Sequence, residues 1–121
     1  MKIINTLKTE RLNNQLWVVL EDFKVDLGET IVSVPKGFVT NGASVPRIFW
    51  WLCAPMAGPF GEASVVHDYL YSSFSDCQSR SFADKALYNI GRYRGANLVR
   101  AKAVYRAVRL FGQKFWKKSS T

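Results

Sequence analysis

Apolar residues in the first third of the chain form short runs that are rich in β-forming side chains. The two clearest runs are residues 16–20 (LWVVL) and 30–34 (TIVSV). Between them, residues 26–29 (DLGE) have the Asp and Gly that turns favour, so we predict an antiparallel hairpin. Residues 37–40 (GFVT) predict a short third strand.

Apolar residues in the second half recur at helical spacing instead. Three helices are predicted, at about residues 61–73, 82–91 and 96–111. Ser81 is the expected N-cap of the second helix, with Asp84 three residues later in a position that resembles a capping box. Gly91 and Gly112 are expected to end the second and third helices.

These elements predict an α+β fold, with a small N-terminal antiparallel β-sheet or hairpin followed by about three packed helices. A chain of 121 residues can bury an ordinary core as a single domain, 1–121. Within it we expect a β-rich part (1–40), a motif loop (41–60), a helical part (61–112) and a basic tail (113–121).

The chain carries a formal net charge of +8, which favours anionic partners. Lys102, Arg106 and Arg109 recur at helical spacing and define a candidate face for such a partner. Since no recognisable nucleic-acid module accompanies them, an acidic protein partner and nucleic acid both stay open. No apolar run has the length of a signal peptide or a transmembrane segment, so we expect synthesis in a cytoplasm.

Two cysteines, Cys53 and Cys77, are too few for a disulfide scaffold and lack the spacing of metal ligands. A single bridge between them is one reading. We favour two buried free thiols, because free cysteine behaves as a small apolar side chain.

The chemistry that the sequence suggests centres on His67, the sole histidine. Histidine is the side chain whose charge changes near neutral pH, so it can act as a general base. Asp84 on the next predicted helix would hold the imidazole in one tautomer and stabilise the imidazolium. Asp68 points about 100° away around its helix, which frees it to bind a hard cation such as calcium.

The loop before the first helix would complete such a site. Asn41 and Gly42 could offer carbonyl oxygens to a metal, and Ser44 is a conceivable nucleophile with His67 as its base. The alternative is structural. A His–Asp pair across two helices can simply lock their packing, Asp68 can pair with Arg47, and Ser44 can serve turn chemistry.

Four ordered motifs resemble a family of uncharacterised proteins that is frequent in tailed-bacteriophage and prophage genomes. The motifs are GFVTNGASVPR at 37–47, HDYLY at 67–71, Arg80 with Ala83-Asp84, and YRAVR at 105–109 followed by Gly112. The resemblance implies a phage origin and no established activity. Where that family usually has an Asp, this chain has Asn41, which removes a negative charge from the loop.

A shorter stretch resembles the secreted calcium-dependent phospholipases. Those enzymes have a His-Asp pair on a helix, a Tyr four residues after the His, and an Asp on an antiparallel helix. His67, Asp68, Tyr71 and Asp84 match that order. The resemblance implies His67 as the base, Asp68 as a calcium ligand, and Asp84 with Tyr71 as the orienting groups.

Three functions are therefore open. The first is a small phage-encoded hydrolase that acts on an ester or amide in lipid or cell wall. The second is a non-enzymatic virion, tail or assembly protein that contacts other virion proteins. The third is a host-takeover factor that binds a host protein or nucleic acid. The residues lead us to favour the hydrolase.

Overall fold

Six short strands form two antiparallel sheets in the part of the chain that the computed structural model describes, residues 1–12, 16–40, 60–72, 75, 77 and 79–116. The first sheet has the order β1–β4–β5 and the second has the order β2–β3–β6. The strands are β1 (Lys2–Ile3), β2 (Thr9–Arg11), β3 (Trp17–Val19), β4 (Phe23–Asp26), β5 (Ile31–Val34) and β6 (Val39–Thr40).

Three helices follow the strands. They are α1 (Gly61–Tyr71), α2 (Arg80–Tyr93) and α3 (Leu98–Phe111), and a short 3-10 turn, Gly112–Phe115, follows α3. The predicted α+β class, with antiparallel strands first and three helices after them, is confirmed. None of the described helices combines the length and the hydropathy that a transmembrane span requires.

The turn predicted at residues 26–29 is present, but it joins β4 to β5. The Leu27 amide donates to the Thr30 carbonyl at 2.9 Å. Gly28 has a φ of 95°, a conformation that glycine adopts at little cost. The predicted pairing of residues 16–20 with residues 30–34 is therefore wrong.

Strand β3 pairs with β2 and β6 instead, so the predicted third strand at residues 37–40 is present as β6. Strand β4 was not predicted because it has only two buried apolar residues, Phe23 and Val25, which lie on either side of exposed Lys24. Such a short alternation does not stand out beside the longer run of β3.

Helix α1 is the centre of the core. Apolar side chains are buried around most of its circumference, including Val65, Val66 and Leu70. It packs against α2 and also contacts β5 and β6. A helix that is buried on most sides is an interior helix, so Ser64 and His67 on α1 are enclosed as well.

The N-cap of α2 is Ser79 and not the predicted Ser81. The Ser79 side chain accepts a hydrogen bond from the Phe82 amide at 3.2 Å, which satisfies one of the free donors of the first turn. Asp84 is then the fifth residue of the helix. It lies too far along the helix to serve a capping box, and it faces the interior.

Helix α2 also continues beyond Gly91, which was expected to end it. The stop is Gly95, with a φ of 106°, and the amides of Gly95 and Ala96 close the last turn on the Arg92 and Gly91 carbonyls. Gly91 has a different role. A Cβ there would lie 2.9 Å from Cδ1 of Phe60, so this glycine lets α2 approach the start of α1 closely.

Helix α3 ends at Gly112, as predicted, and Asn97 caps its start by accepting from the Arg100 amide at 2.8 Å. Cys77 is a buried thiol, as expected, and donates to the Ser79 carbonyl at 3.2 Å. Cys53 lies outside the described residues.

The reassigned cap gives a direct test. Ser79→Ala should destabilise the protein by about 1 kcal/mol, because the Phe82 amide loses its acceptor. Ser81→Ala on the exposed first turn is the matched control and should change stability by less than about 0.5 kcal/mol. Urea denaturation followed by circular dichroism measures both. A larger loss in Ser81→Ala than in Ser79→Ala would contradict the assigned start of α2.

Candidate active site

Polar side chains from all three helices meet in the interior beside α1. His67 and Tyr71 are four residues apart on α1, and Arg80 and Asp84 are four residues apart on α2, so each pair shares a helix face. His67 contacts Asp84, whereas Tyr71 contacts both Asp84 and Arg80. This crossed order shows that α1 and α2 run antiparallel.

The centre of the cluster is the Asp84 carboxylate, which is fully buried. Its Oδ1 lies 2.8 Å from Nε2 of His67 and accepts from the Tyr71 hydroxyl at 2.6 Å. Its Oδ2 accepts from Nη1 of Arg109 at 2.9 Å and lies 3.4 Å from Nη1 of Arg80. A buried charge needs such a set of donors, because desolvation without partners costs several kcal/mol.

These donors decide the ionisation of Asp84. Burial by itself raises the pKa of the carboxyl group, but the hydrogen bonds from His67, Tyr71 and Arg109 outweigh it and hold the pKa below the ordinary value. Asp84 is therefore a carboxylate at neutral pH and accepts hydrogen bonds with both oxygens.

Tyr71 stays protonated for the complementary reason. Burial and then the hydrogen bond to Asp84 raise the pKa of its hydroxyl well above the ordinary value. The hydroxyl donates to Asp84 and accepts from Nη1 of Arg80 at 3.2 Å. The ring of Tyr71 lies against the His67 imidazole, with centroids 4.2 Å apart, and meets the Trp116 ring edge-on at 5.1 Å.

The two nitrogens of His67 differ in their surroundings. Nε2 faces the Asp84 carboxylate, which has no proton to donate, so in the neutral imidazole Nε2 carries the hydrogen. Nδ1 then has the lone pair. Nδ1 is buried and has no hydrogen-bond partner among the described residues. The arrangement fixes one tautomer, and among the described residues it leaves Nδ1 as an acceptor without a donor.

Arg80 ties the cluster to the end of α3. Its Nη1 donates to the Val108 carbonyl at 3.1 Å and its Nη2 donates to the Arg109 carbonyl at 3.2 Å. These carbonyls belong to the last turn of α3, where the Val108 carbonyl also accepts from the Gly112 amide. A cation at this end is also favourable toward the helix dipole.

Gly112 allows this close approach. A Cβ at this position would lie 2.5 Å from the Tyr71 hydroxyl and 3.2 Å from Nη1 of Arg80. Its φ of −76° is open to any residue, so the requirement for glycine is steric and comes from the polar cluster.

The structure brings together three of the predicted site residues, His67, Tyr71 and Asp84, in the expected hydrogen-bonded order. It adds Arg80, whose role was not predicted from the sequence. The available signal was its spacing, because Arg80 lies one helical turn before Asp84 and so shares its face.

The predicted basic face is divided. Lys102 and Arg106 are exposed on α3, as expected of a surface for an anionic partner. Arg109 is partly exposed and turns toward Asp84, and the hydrogen bond between them raises the pKa of the guanidinium. Arg109 thus belongs to the polar cluster as well as to the helix surface.

Asp68, the predicted metal ligand, is half-buried and accepts from the Thr40 hydroxyl at 2.7 Å. Among the residues that the structure describes, no group of three or more His, Cys, Asp or Glu side chains is placed to hold a metal ion. Asn41, Gly42, Ser44 and Arg47 lie outside the described residues. A calcium site formed by Asp68 and this loop stays a prediction.

An α+β domain with a buried histidine–carboxylate cluster between its helices is thus the class of protein that the structure defines. The chain belongs to the family described as "Protein of unknown function (DUF1353)", whose pattern matches residues 17–108.

Comparison with curated proteins finds a similar chain, the "Uncharacterized protein y4jT" of Sinorhizobium fredii (strain NBRC 101917 / NGR234). The two are 38% identical over 82 residues, which is 65% of this chain and 23% of that protein. The chain therefore spans about a quarter of the length of this relative. No solved structure matches the chain.

The ionised state of Asp84 predicts a particular pH dependence. The folded pKa lies below the unfolded value, so the unfolded chain binds more protons as the pH falls, and the stabilisation is lost below the ordinary value of 3.8. At neutral pH, Asp84→Asn should cost about 3–5 kcal/mol because charged partners lose their carboxylate. The difference in the free energy of unfolding between Asp84→Asn and the wild type should shrink as the pH falls through the folded pKa of Asp84.

Chemical denaturation at a series of pH values measures this difference. Glu29→Gln, which changes an exposed carboxylate in the β4–β5 turn, is the control and should have little effect. A gap between wild type and Asp84→Asn that stays constant down to about pH 2 would show that Asp84 is not held ionised.

The close contact between Gly112 and Tyr71 predicts that substitutions at these two positions are energetically coupled. Gly112→Ala should destabilise the protein by about 1–3 kcal/mol, because its methyl group overlaps the Tyr71 hydroxyl. Tyr71→Phe removes that hydroxyl. The double variant should therefore lose less free energy of unfolding than the sum of the two single losses. A double-mutant cycle from thermal unfolding gives the coupling energy. Strict additivity would mean that the overlap is relieved elsewhere.

Proposed function

We propose that this protein is a small hydrolase in which Nδ1 of His67 acts as the general base toward an ester or amide bond in a lipid or in the cell wall. The observation that carries the proposal is the state of the imidazole. Nε2 is held by an ionised carboxylate, while Nδ1 is a buried acceptor without a partner among the described residues.

A buried acceptor that has no donor among the described residues is unusual in a packed interior. Buried polar atoms are nearly always hydrogen-bonded, because desolvation without a partner costs about 1–3 kcal/mol. A histidine that served only to lock two helices would gain stability from a second partner. An oriented imidazole with one unused lone pair is suited to taking a proton from a water molecule.

The surrounding groups have defined roles in this proposal. Asp84 orients the imidazole and stabilises the imidazolium that forms when Nδ1 takes a proton. Tyr71 and the two arginines, Arg80 and Arg109, hold the carboxylate in place through its remaining lone pairs. Since Nδ1 is buried, the reaction requires an opening that admits water and the scissile carbonyl to this side of the ring.

The resemblance to secreted calcium-dependent phospholipases supports the choice of reaction. His67 and Tyr71 share one helix, and Asp84 lies on an antiparallel one. The His67 and Tyr71 side chains both contact Oδ1 of Asp84. In that analogy Asp68 would bind calcium, and the ion would polarise the substrate carbonyl. The chemical class that follows is a carboxylic ester or amide.

A phage or prophage origin, with synthesis in the cytoplasm of a bacterial host, is part of the same proposal. It is supported by the resemblance of the four motifs to phage-encoded proteins. A lipid or cell-wall substrate is consistent with that origin, because a phage must cross the envelope of its host.

One observation favours a second candidate, a non-enzymatic virion or assembly protein. Arg80 donates to Tyr71 of α1 and to two carbonyls of α3 while it belongs to α2, so the cluster joins all three helices. In this reading the His67–Asp84 pair is a structural lock, and Lys102 with Arg106 forms an interface for an acidic partner.

Hydrolysis assays separate the two candidates. Wild-type protein should cleave at least one of three substrates: a chromogenic short-chain ester, phospholipid vesicles or purified peptidoglycan. Loss of a general base should lower kcat by about 100-fold or more in His67→Ala. Each assay is run with and without added calcium.

The matched control is Val66→Ala, which removes buried methyl groups on the same helix and leaves His67 in place. It should lose stability and retain activity at temperatures where it is folded. Activity of His67→Ala equal to that of the wild type would overturn the proposal. No wild-type activity on any substrate, together with a large loss of thermal stability in His67→Ala, would favour the structural candidate.

A further inference from the structure

A concavity lies between α2 and α3. It has a volume of about 470 Å³, within the range of small-ligand sites. Its lining residues are two lysines, two tyrosines and an asparagine: Lys85, Tyr88, Asn89, Lys102 and Tyr105. We call it the α2–α3 groove. None of its residues belongs to the cluster around His67.

The helical spacing explains why these side chains meet. Lys85, Tyr88 and Asn89 are three and four residues apart, so they share one face of α2. Lys102 and Tyr105 are three residues apart on α3. The two tyrosine rings meet edge-on, with centroids 6.0 Å apart and planes at 71°. The groove therefore has an aromatic floor with a lysine on each helix.

The lysine charges of the groove are not neutralised by any side chain that the structure describes. Among the residues that the structure describes, no side chain forms an ion pair or a hydrogen bond with the ammonium group of Lys85 or Lys102, and the groove has no acidic lining residue. By contrast, Arg80 and Arg109 are bound to Asp84. Within the described part of the chain, the groove thus presents two unpaired cations beside half-buried aromatic rings.

We propose that the α2–α3 groove binds a nucleotide, with the planar base against Tyr88 and Tyr105 and the phosphate between Lys85 and Lys102. Stacking on aromatic rings is available to every base, and lysine ammonium groups neutralise phosphate. The Asn89 side chain can both donate to and accept from a base edge. This site is independent of the hydrolase proposed above.

The same chemistry can come from two sources, a free nucleotide or one unit of a single-stranded nucleic acid. Arg106 lies one helical turn beyond Lys102 and is exposed, so a strand could continue along α3. The two sources are distinguished by measuring AMP and a fluorescent dT oligonucleotide side by side.

The test uses fluorescence polarisation for the oligonucleotide and NMR titration for AMP, both at low salt. Wild-type protein should bind at least one of the two probes. Lys85→Gln/Lys102→Gln should weaken binding about tenfold or more, and the slope of log Kd against log salt for the oligonucleotide should fall by about 0.7, since the neutralisation of one phosphate is lost.

The matched control is Lys24→Gln/Lys36→Gln, which removes the same charge from exposed positions outside the groove. It should change Kd by less than about twofold. Tyr88→Leu should weaken binding by about fivefold or more, and Tyr88→Phe should keep most of the affinity because the ring remains. Thermal unfolding of each variant confirms that it is folded under the assay conditions.

Tighter binding of the oligonucleotide would identify a strand as the source, and comparable binding of AMP would identify a free nucleotide. Three results would overturn the proposal: no binding of either probe, an equal loss of affinity in the control double variant, or competition by inorganic phosphate as effective as that by AMP. The last result would show that the rings contribute nothing.

Discussion

The ionised Asp84 carboxylate is the constraint on which the helical part of this protein depends. It is fully buried, and its donors within the described part of the chain are side chains on the three helices. An uncompensated buried charge costs several kcal/mol. Any arrangement that separates these helices therefore destabilises the protein, because Asp84 loses its donors. The carboxylate thus specifies how α1, α2 and α3 pack, in addition to any role in chemistry.

Several local features follow from this one requirement. Arg80 reaches Asp84 and at the same time satisfies two carbonyls at the end of α3. Position 112 requires glycine because the Tyr71 hydroxyl occupies the space that a Cβ would take. The imidazole of His67 is fixed in one tautomer because its neighbour can only accept. The polar cluster and the apolar core are therefore one packing arrangement.

The sequence allowed the central part of the site to be predicted. His67 and Tyr71 share a helix face by spacing alone, and a second, antiparallel helix brings Asp84 to them. The loop from Asn41 to Arg47 is outside the described residues, so the part of the prediction that concerned a metal or a nucleophile depends on the sequence alone.

The errors in the sequence prediction have local causes. Ser79 and Ser81 are both good caps, and the choice between them is made by tertiary packing, which turns Asp84 inward. Gly91 looked like a helix stop but serves a close contact with Phe60. The hairpin was assigned to the wrong strand because β4 has only two buried apolar residues. Propensity describes the local backbone, and these outcomes depend on contacts distant in sequence.

The tautomer of His67 tests the central claim most directly, and the chain has a single histidine to observe. A long-range 1H–15N NMR spectrum of 15N-labelled protein assigns the proton to one ring nitrogen. At a pH where the imidazole is neutral, we expect Nε2 to carry the proton and Nδ1 to be unprotonated, and Asp84→Asn should abolish this preference. A proton on Nδ1, or a tautomer that is unchanged in Asp84→Asn, would contradict the account.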